Sequence, residues 1–174
     1  MKFRIIIFII YILFGLNILH SQNIEPFNIV YDLNYYKSYY NYKIKTSSFV
    51  IYKLYKGGGD IPRKNMRFKS YNKLPHFNYY YSGYDRGHLV PAEDFAYSYN
   101  RLLTTFYYIN CVPQTIKLNR GNWKIYETKI RQYSWKDSLI IICGVVITIV
   151  SIYTFLEGVS NWFTALRHKN VSIH

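Results

Sequence analysis

The stretch "GYDRGHLVPAEDF", Gly83 to Phe95, puts an acid, an arginine, a glycine and a histidine in a row, then a proline and two more acids. Two readings compete for it: a charged surface turn, or the centre of an active site. The stretch begins extended and breaks at Pro91, which has no N–H to continue a ladder. Upstream, "SSFVIYKLY", Ser47 to Tyr55, is β-branched and aromatic and runs into "KGGGD", the pattern of a strand entering a glycine turn. Between the two, "IPRKNMRFKSYNKLPHFNYYYSGY" is basic, aromatic and interrupted by Pro62 and Pro75, and is expected to be a long surface excursion. Residues 23–48 read as a polar, tyrosine-rich lead-in with a short strand near "FNIVYDL". Downstream, "TTFYYINCVPQ" is a second β-rich run that stops at Pro113.

Beyond that point the period changes. "LNRGNWKIYETKIRQYSW" sets Asn119, Trp123, Glu127 and Arg131 four residues apart, along one side of a helix. Gly121 is a poor helix residue, so the helix is expected to begin around it. "SLIIICGVVITIVSIYTFL" is apolar enough for a membrane span, but its Ile, Val and Thr content and the central Gly144 favour a buried strand.

The chain's 174 residues suit one domain, and half of them are apolar, which excludes a disordered chain. Tyrosine, at 21 residues, follows in part from codon bias of an AT-rich genome, as does much of the lysine. The formal charge is +13. Without the first 22 residues it is +11, from 20 basic and 9 acidic residues. Such a surface favours polyanions, either nucleic acid or anionic membrane, and charge alone does not choose. "MKFRIIIFIIYILFGLNILHSQ" has a basic start, an apolar run from Ile5 to Leu19 and a small residue, Ser21. That is the pattern of a secretory signal peptide over 1–22, with an uncleaved anchor as the alternative. Cleavage near Ser21 or Gln22 would make the protein secreted or periplasmic, without stable membrane association. Export would make Cys111 and Cys143 a candidate disulfide; two buried free thiols are the other reading.

Three blocks in order, "DRGHLVPAEDF", "NCVPQ" and "LNRGNWKIYE" followed by Arg131, closely resemble the DNA/RNA non-specific endonucleases, the family with a ββα-metal finger. The close match runs from Asp85 to Arg131, with weaker similarity back to "SSFVIYKLY". The resemblance implies an α+β fold with a mostly antiparallel central sheet, and a nuclease domain over 23–174. It implies DNA and RNA as partners and a single divalent cation, magnesium or else manganese, with no small-molecule cofactor. His88 would be the general base and Asn119 the direct metal ligand. Glu127 would hold the metal's waters, and Asn110 would orient His88 or the site. Arg86 would bind phosphate near the cut bond, and Arg131 would neutralise charge at the helix or contact phosphate. An upstream arginine is also expected, with Arg63 the best candidate and Arg67 next.

The residue types suit that chemistry. Histidine can take a proton from water near neutral pH. A hard cation stabilises an oxyanion and a leaving alkoxide, and magnesium needs few protein ligands. Arginine holds phosphate with a two-pronged donor set. Asp85 reads as a loop-holding residue, and Glu93 and Asp94 as structural. The C-terminal "EGVSNWFTALRHKNVSIH" has Ser160 where the family pattern leads one to expect proline, so the domain edge reads as truncated. Two rivals remain: a decayed, non-catalytic nucleic-acid-binding copy, and a membrane protein with spans at Ile5–Leu19 and Leu139–Leu156. Oligomeric state is open.

Overall fold

The computed structural model describes residues 4–11 and 27–146. The inferred cleavage point and the C-terminal block around Ser160 lie outside the described residues. A five-stranded sheet carries the molecule, built from β1 (Arg4–Tyr11), β2 (Ile29–Asp32), β3 (Tyr36–Asn41), β4 (Thr46–Leu54) and β7 (Leu139–Val146), in the order β1-β7-β4-β3-β2. Only β1 and β7 run parallel; every other pairing in the sheet is antiparallel. β5 (Asp85–His88) and β6 (Cys111–Gln114) form a separate antiparallel pair, with His88 opposite Cys111. The helix α2 (Lys124–Ser134) follows, so β5, β6 and α2 together make the ββα unit. The α+β expectation holds.

β4 forms where "SSFVIYKLY" was expected to. Thr46 and the run Phe49–Tyr52 are β-branched or aromatic and fit a pleated surface covered on both sides. It lies between β3 and β7, and its burial reaches both faces. Of the apolar run that starts at Leu139, the described part, Leu139–Val146, is strand β7. Gly144 pairs with Phe49, and a β-carbon there would meet Phe49 Cβ and the Ser48 carbonyl at 2.8 Å. The glycine thus permits close packing of β7 on β4. Among the described residues no helix is long and apolar enough to cross a membrane. The N-terminal apolar run supplies β1, whose backbone pairs with β7 from Arg4↔Leu139 to Tyr11↔Val146.

The lead-in holds more order than its sequence suggests. β2 matches "FNIVYDL", but β3 was not foreseen. Tyr36, Ser38 and Tyr40 alternate inward and Asn41 is buried at its end, an alternation masked by polar letters. The tyrosines keep their hydroxyls paired. Tyr36 donates to the Thr104 carbonyl at 2.8 Å, Tyr40 donates to the Pro75 carbonyl, and Tyr52 donates to Asp94 Oδ2 at 3.0 Å. A buried phenol needs such a partner, so the tyrosines are structural whatever codon bias supplied them.

"TTFYYINCVPQ" is only partly strand. Tyr99–Thr104 forms the short helix α1, Tyr108–Asn110 forms a 3-10 turn, and only Cys111–Gln114 is extended. The backbone there is satisfied by side chains in place of a ladder. Ser38 and Ser47 donate their hydroxyls to the Ile109 carbonyl, and Thr46 donates to the Cys111 carbonyl at 2.7 Å. Three hydroxyls from β3 and β4 thereby seat the finger on the central sheet. One core then spans both parts, from Val50 and Leu54 on the sheet to Leu89, Val112 and Trp123 on the finger. Cys111 and Cys143 are buried free thiols, and burial pushes the Cys111 thiol up to about 12.

Candidate active site

β5 alternates, so Arg86 and His88 share one face while Asp85 and Gly87 share the other. Gly87 has a steric reason. A β-carbon there would lie 2.3 Å from the side chain of Gln114 on β6. Gln114 is fully buried, and neither atom of its amide has a hydrogen-bond partner among the described residues.

His88 stands at the end of β5, half-buried, against Phe68 (ring centroids 4.7 Å apart) and edge-on to Phe106 (5.0 Å). Its Nε2 is buried and has no partner among the described residues. Burial, and then the positive charge of Arg63, lowers its pKa to about 3. The imidazole is therefore neutral at physiological pH, the form that can accept a proton.

The loop after His88 is held by Asn110. Its Oδ1 accepts from the Val90 N–H at 2.8 Å, and its Nδ2 donates to the carbonyls of Val90 (3.0 Å) and Thr105 (2.9 Å). The Leu89 N–H donates to the Asn110 carbonyl at 3.0 Å. Asn110 is fully buried. It fixes the backbone immediately after His88.

Arg86 is exposed. Its Nε donates to the Tyr108 hydroxyl at 3.3 Å, and its guanidinium lies 5.4 Å from the centre of the Tyr79 ring. Tyr108 stacks on His76 at 3.7 Å and packs on Phe68 at 5.6 Å, so an aromatic layer connects Arg86 to the ring against His88. None of these aromatics was singled out in the sequence, because tyrosine is too common in this chain to mark a site.

Asn119 is not on a straight helix with Glu127. The turns Leu118–Trp123 precede α2 and break at Gly121, with φ −106° and ψ −111°. The sequence put the helix start in the right place but the two residues wrongly on one continuous face. Asn119 is fixed instead by Asp85, whose Oδ2 accepts from Asn119 Nδ2 at 3.0 Å. Arg120 grips the same carboxylate in a fork, at 2.8 and 2.9 Å. Those bonds, Arg120's first, hold Asp85 below the usual carboxylate range. Asp85 thus does hold structure together, and the bond to the Asn119 nitrogen leaves its carboxamide oxygen clear of that pair.

Glu127 and Arg131 lie on α2 beside a buried group of charges. Arg131 donates through Nε to Asp94 Oδ1 at 2.9 Å and meets Glu93 Oε2 through Nη1 at 3.2 Å. Asp94 is 1% exposed. Arg63 reaches Glu93 Oε1 from the other side at 3.6 Å. Arg131 is therefore a packed ion-pair residue tying α2 to the turn after Pro91. Burial, with the nearby charge of Asp94, raises the Glu127 pKa to about 8, and burial raises that of Asp94 to about 6.

A raised carboxylate pKa stabilises the fold at low pH, and that contribution is lost as pH rises through the folded value. His88 has the opposite sign, because its folded pKa lies below the unfolded value near 6.5. Its effect is complete by about pH 6.5, which leaves Glu127 in control between there and 8. The thermal midpoint of metal-free protein should fall as pH rises from 6.5 to 8, and Glu127→Gln should flatten that fall. A midpoint that rises over this interval would remove the burial of Glu127 from the account.

With that geometry in place, comparison with known proteins is direct. The family model for the DNA/RNA non-specific endonucleases matches residues 20–156. The chain belongs to this family. Among its relatives, human mitochondrial nuclease EXOG is 38% identical over 80 residues, which cover 42% of this chain and 22% of that protein. Human mitochondrial endonuclease G is 30% identical over 91 residues, covering 49% and 31%. The mitochondrial nuclease of Saccharomyces cerevisiae is 39% identical over 72 residues, covering 37% and 22%. The chain thus spans less than a third of the length of each of these relatives. A crystal structure of the EndoG/EndoGI complex, solved to explain EndoG inhibition, superposes with a TM-score of 0.55 at 26% identity over 60% of this chain and 47% of that one. The endonuclease fold is thereby supported from both sides.

These relatives correct one expectation. The N-terminal pattern led to a secreted or periplasmic protein, but the endonucleases it resembles are mitochondrial. The physical source of the error is that one apolar run serves equally as a signal sequence and as a sheet strand. Here Arg4–Tyr11 is strand β1.

Proposed function

We propose that this endonuclease-family chain hydrolyses phosphodiester bonds in DNA and RNA, with His88 as general base and a divalent cation at Asn119. The observation that carries the reading is the state of His88. Its Nε2 has no partner among the described residues, and it ends the strand that also presents Arg86 on the same face. A surface histidine of a charged turn would be solvated and would lack that environment.

The residues fit a hard cation. Asp85 holds the nitrogen of Asn119, so its oxygen, a suitable magnesium ligand, is left for the ion. Among the described residues no three His, Cys, Asp or Glu side chains gather as a metal cage, so Asn119 would be the principal protein ligand. Glu127 would support the ion from α2. Such a cation, once bound, supplies charge neutralisation at the phosphate and at the leaving 3′ oxygen.

The chain's own residues do the rest. Arg86, steadied by Tyr108 and Tyr79, binds a phosphate oxygen with its free guanidinium nitrogens. His88 accepts a proton from the attacking water at a ring nitrogen. Asn110 keeps the His88–Val90 backbone in place so that the ring does not swing away. The products expected from the family resemblance carry 5′-phosphates. The names of the relatives favour the mitochondrion as the compartment in which to look for this activity.

The test is digestion of plasmid DNA and of a structured RNA by the purified chain. Both substrates should be degraded with magnesium, and both should survive when a chelator removes it. Intact substrates in magnesium, with binding retained, would sink the catalytic reading and leave a nucleic-acid-binding domain.

A further inference from the structure

We infer that Glu93 stands in for a substrate phosphate, bridging Arg63 and Arg131 until a backbone phosphate of the nucleic acid displaces it. The inference rests on the nuclease reading above and adds to it a residue that sets substrate affinity.

The geometry is that of an oxyanion between two guanidiniums. Glu93 offers Oε1 to Arg63 Nη2 at 3.6 Å and Oε2 to Arg131 Nη1 at 3.2 Å. A phosphodiester presents the same feature, two charged oxygens on one centre, and arginine binds both groups in the same way. The carboxylate lies in a cleft of about 350 Å³ whose walls include Gly58, Gly59, Arg63 and Arg131. That space is large enough to admit a phosphate group. Arg131 Nη2 is buried and has no hydrogen-bond partner among the described residues.

Charge explains why Glu93, and not Asp94, is the group that moves. Arg131 already has a permanent partner in Asp94, which is 1% exposed and also accepts from Tyr52. Glu93 is 45% exposed, and its contact with Arg63 is long and open to solvent. Such pairs contribute little and exchange readily. With Glu93 in place, Arg63 and Arg131 share three carboxylates, Glu93, Asp94 and the cleft-lining Asp60. When its side chain turns to solvent, the two guanidiniums lose one competing negative charge, and Arg63, which Asp94 does not pair, is left to meet a phosphate. The substrate must therefore compete with a tethered anion.

The experiment measures binding of a short labelled DNA duplex by anisotropy, with chelator present so that nothing is cut, and cleavage in magnesium in parallel. Glu93→Gln should bind about threefold to tenfold more tightly than the parent, since it loses an exposed ion pair's worth of competition. Inorganic phosphate should also inhibit cleavage by Glu93→Gln at lower concentration. The gain should vanish when Arg63→Gln is added. Asp32→Asn, on β2 at the edge of the sheet, removes the same charge elsewhere and should give no comparable gain. If Glu93→Gln binds no better, or if Asp32→Asn gains as much, or if the gain survives Arg63→Gln, the inference is overturned. Glu93→Ala provides the same readout should the glutamine variant fold poorly. A parent protein that binds DNA but never cuts it would instead fault the nuclease reading, and the binding arm would still decide the role of Glu93.

Discussion

His88→Ala is expected to lose cleavage by about a hundredfold to ten-thousandfold while keeping most of its affinity for DNA. The loss follows from removing the proposed base, a half-buried histidine at the end of β5 whose Nε2 has no partner among the described residues. Binding should survive because Arg86 and the general positive charge of the surface are untouched. The comparison needs single-turnover cleavage and chelated binding on the same preparations. His88→Ala with parental turnover would remove the histidine from the reaction. A parallel collapse of binding and melting temperature would make it structural, a real alternative given its packing against Phe68 and Phe106.

The second large effect is expected at Asn119. Asn119→Ala should cut magnesium-supported activity by at least about a hundredfold and resist rescue by added metal, because the proposed inner ligand has gone. Glu127→Ala should lose about tenfold to a hundredfold and recover in part at high magnesium. The structure changes the reason for expecting a difference. The break at Gly121 separates the two residues, and Asp85, not α2, orients Asn119. Asp85→Ala should therefore weaken metal dependence in the same direction as Asn119→Ala, by freeing its amide to rotate. A magnesium titration of the three variants settles it. Parental metal dependence in Asn119→Ala would return that residue to a purely structural role.

Much of this was legible in the sequence, and the limits have physical causes. β4, β5, β7 and the start of the helix could be read because their residues carry strong local preferences: β-branched runs, a proline stop, a period of four. β3 could not, because its inward positions are tyrosine and serine, whose burial depends on partners such as the Ile109 carbonyl. α1 was missed because no local pattern announces a six-residue helix. In the site, Arg63 was preferred to Arg67 on pattern alone, and its pairing with Glu93 could not be read from the sequence. The burial of Arg131 between two carboxylates was not readable, because Glu93 and Asp94 lie far from it in sequence and meet it only in the fold. Asp85 was correctly read as a holding residue, though what it holds, Asn119 and Arg120, appears only in three dimensions.

The position of β7 bears on how the chain reaches this state during synthesis. It lies between β1 and β4, yet it emerges after both of them and after the whole finger. Until Leu139–Val146 leaves the ribosome, β4 offers one bare backbone edge, and β1 has no partner strand in the sheet. Closing the sheet last, through contacts this distant in sequence, is intrinsically slow, and unpaired strand edges invite pairing with other chains. The growing chain therefore passes through an aggregation-prone stage that ends only when one late strand fills the gap.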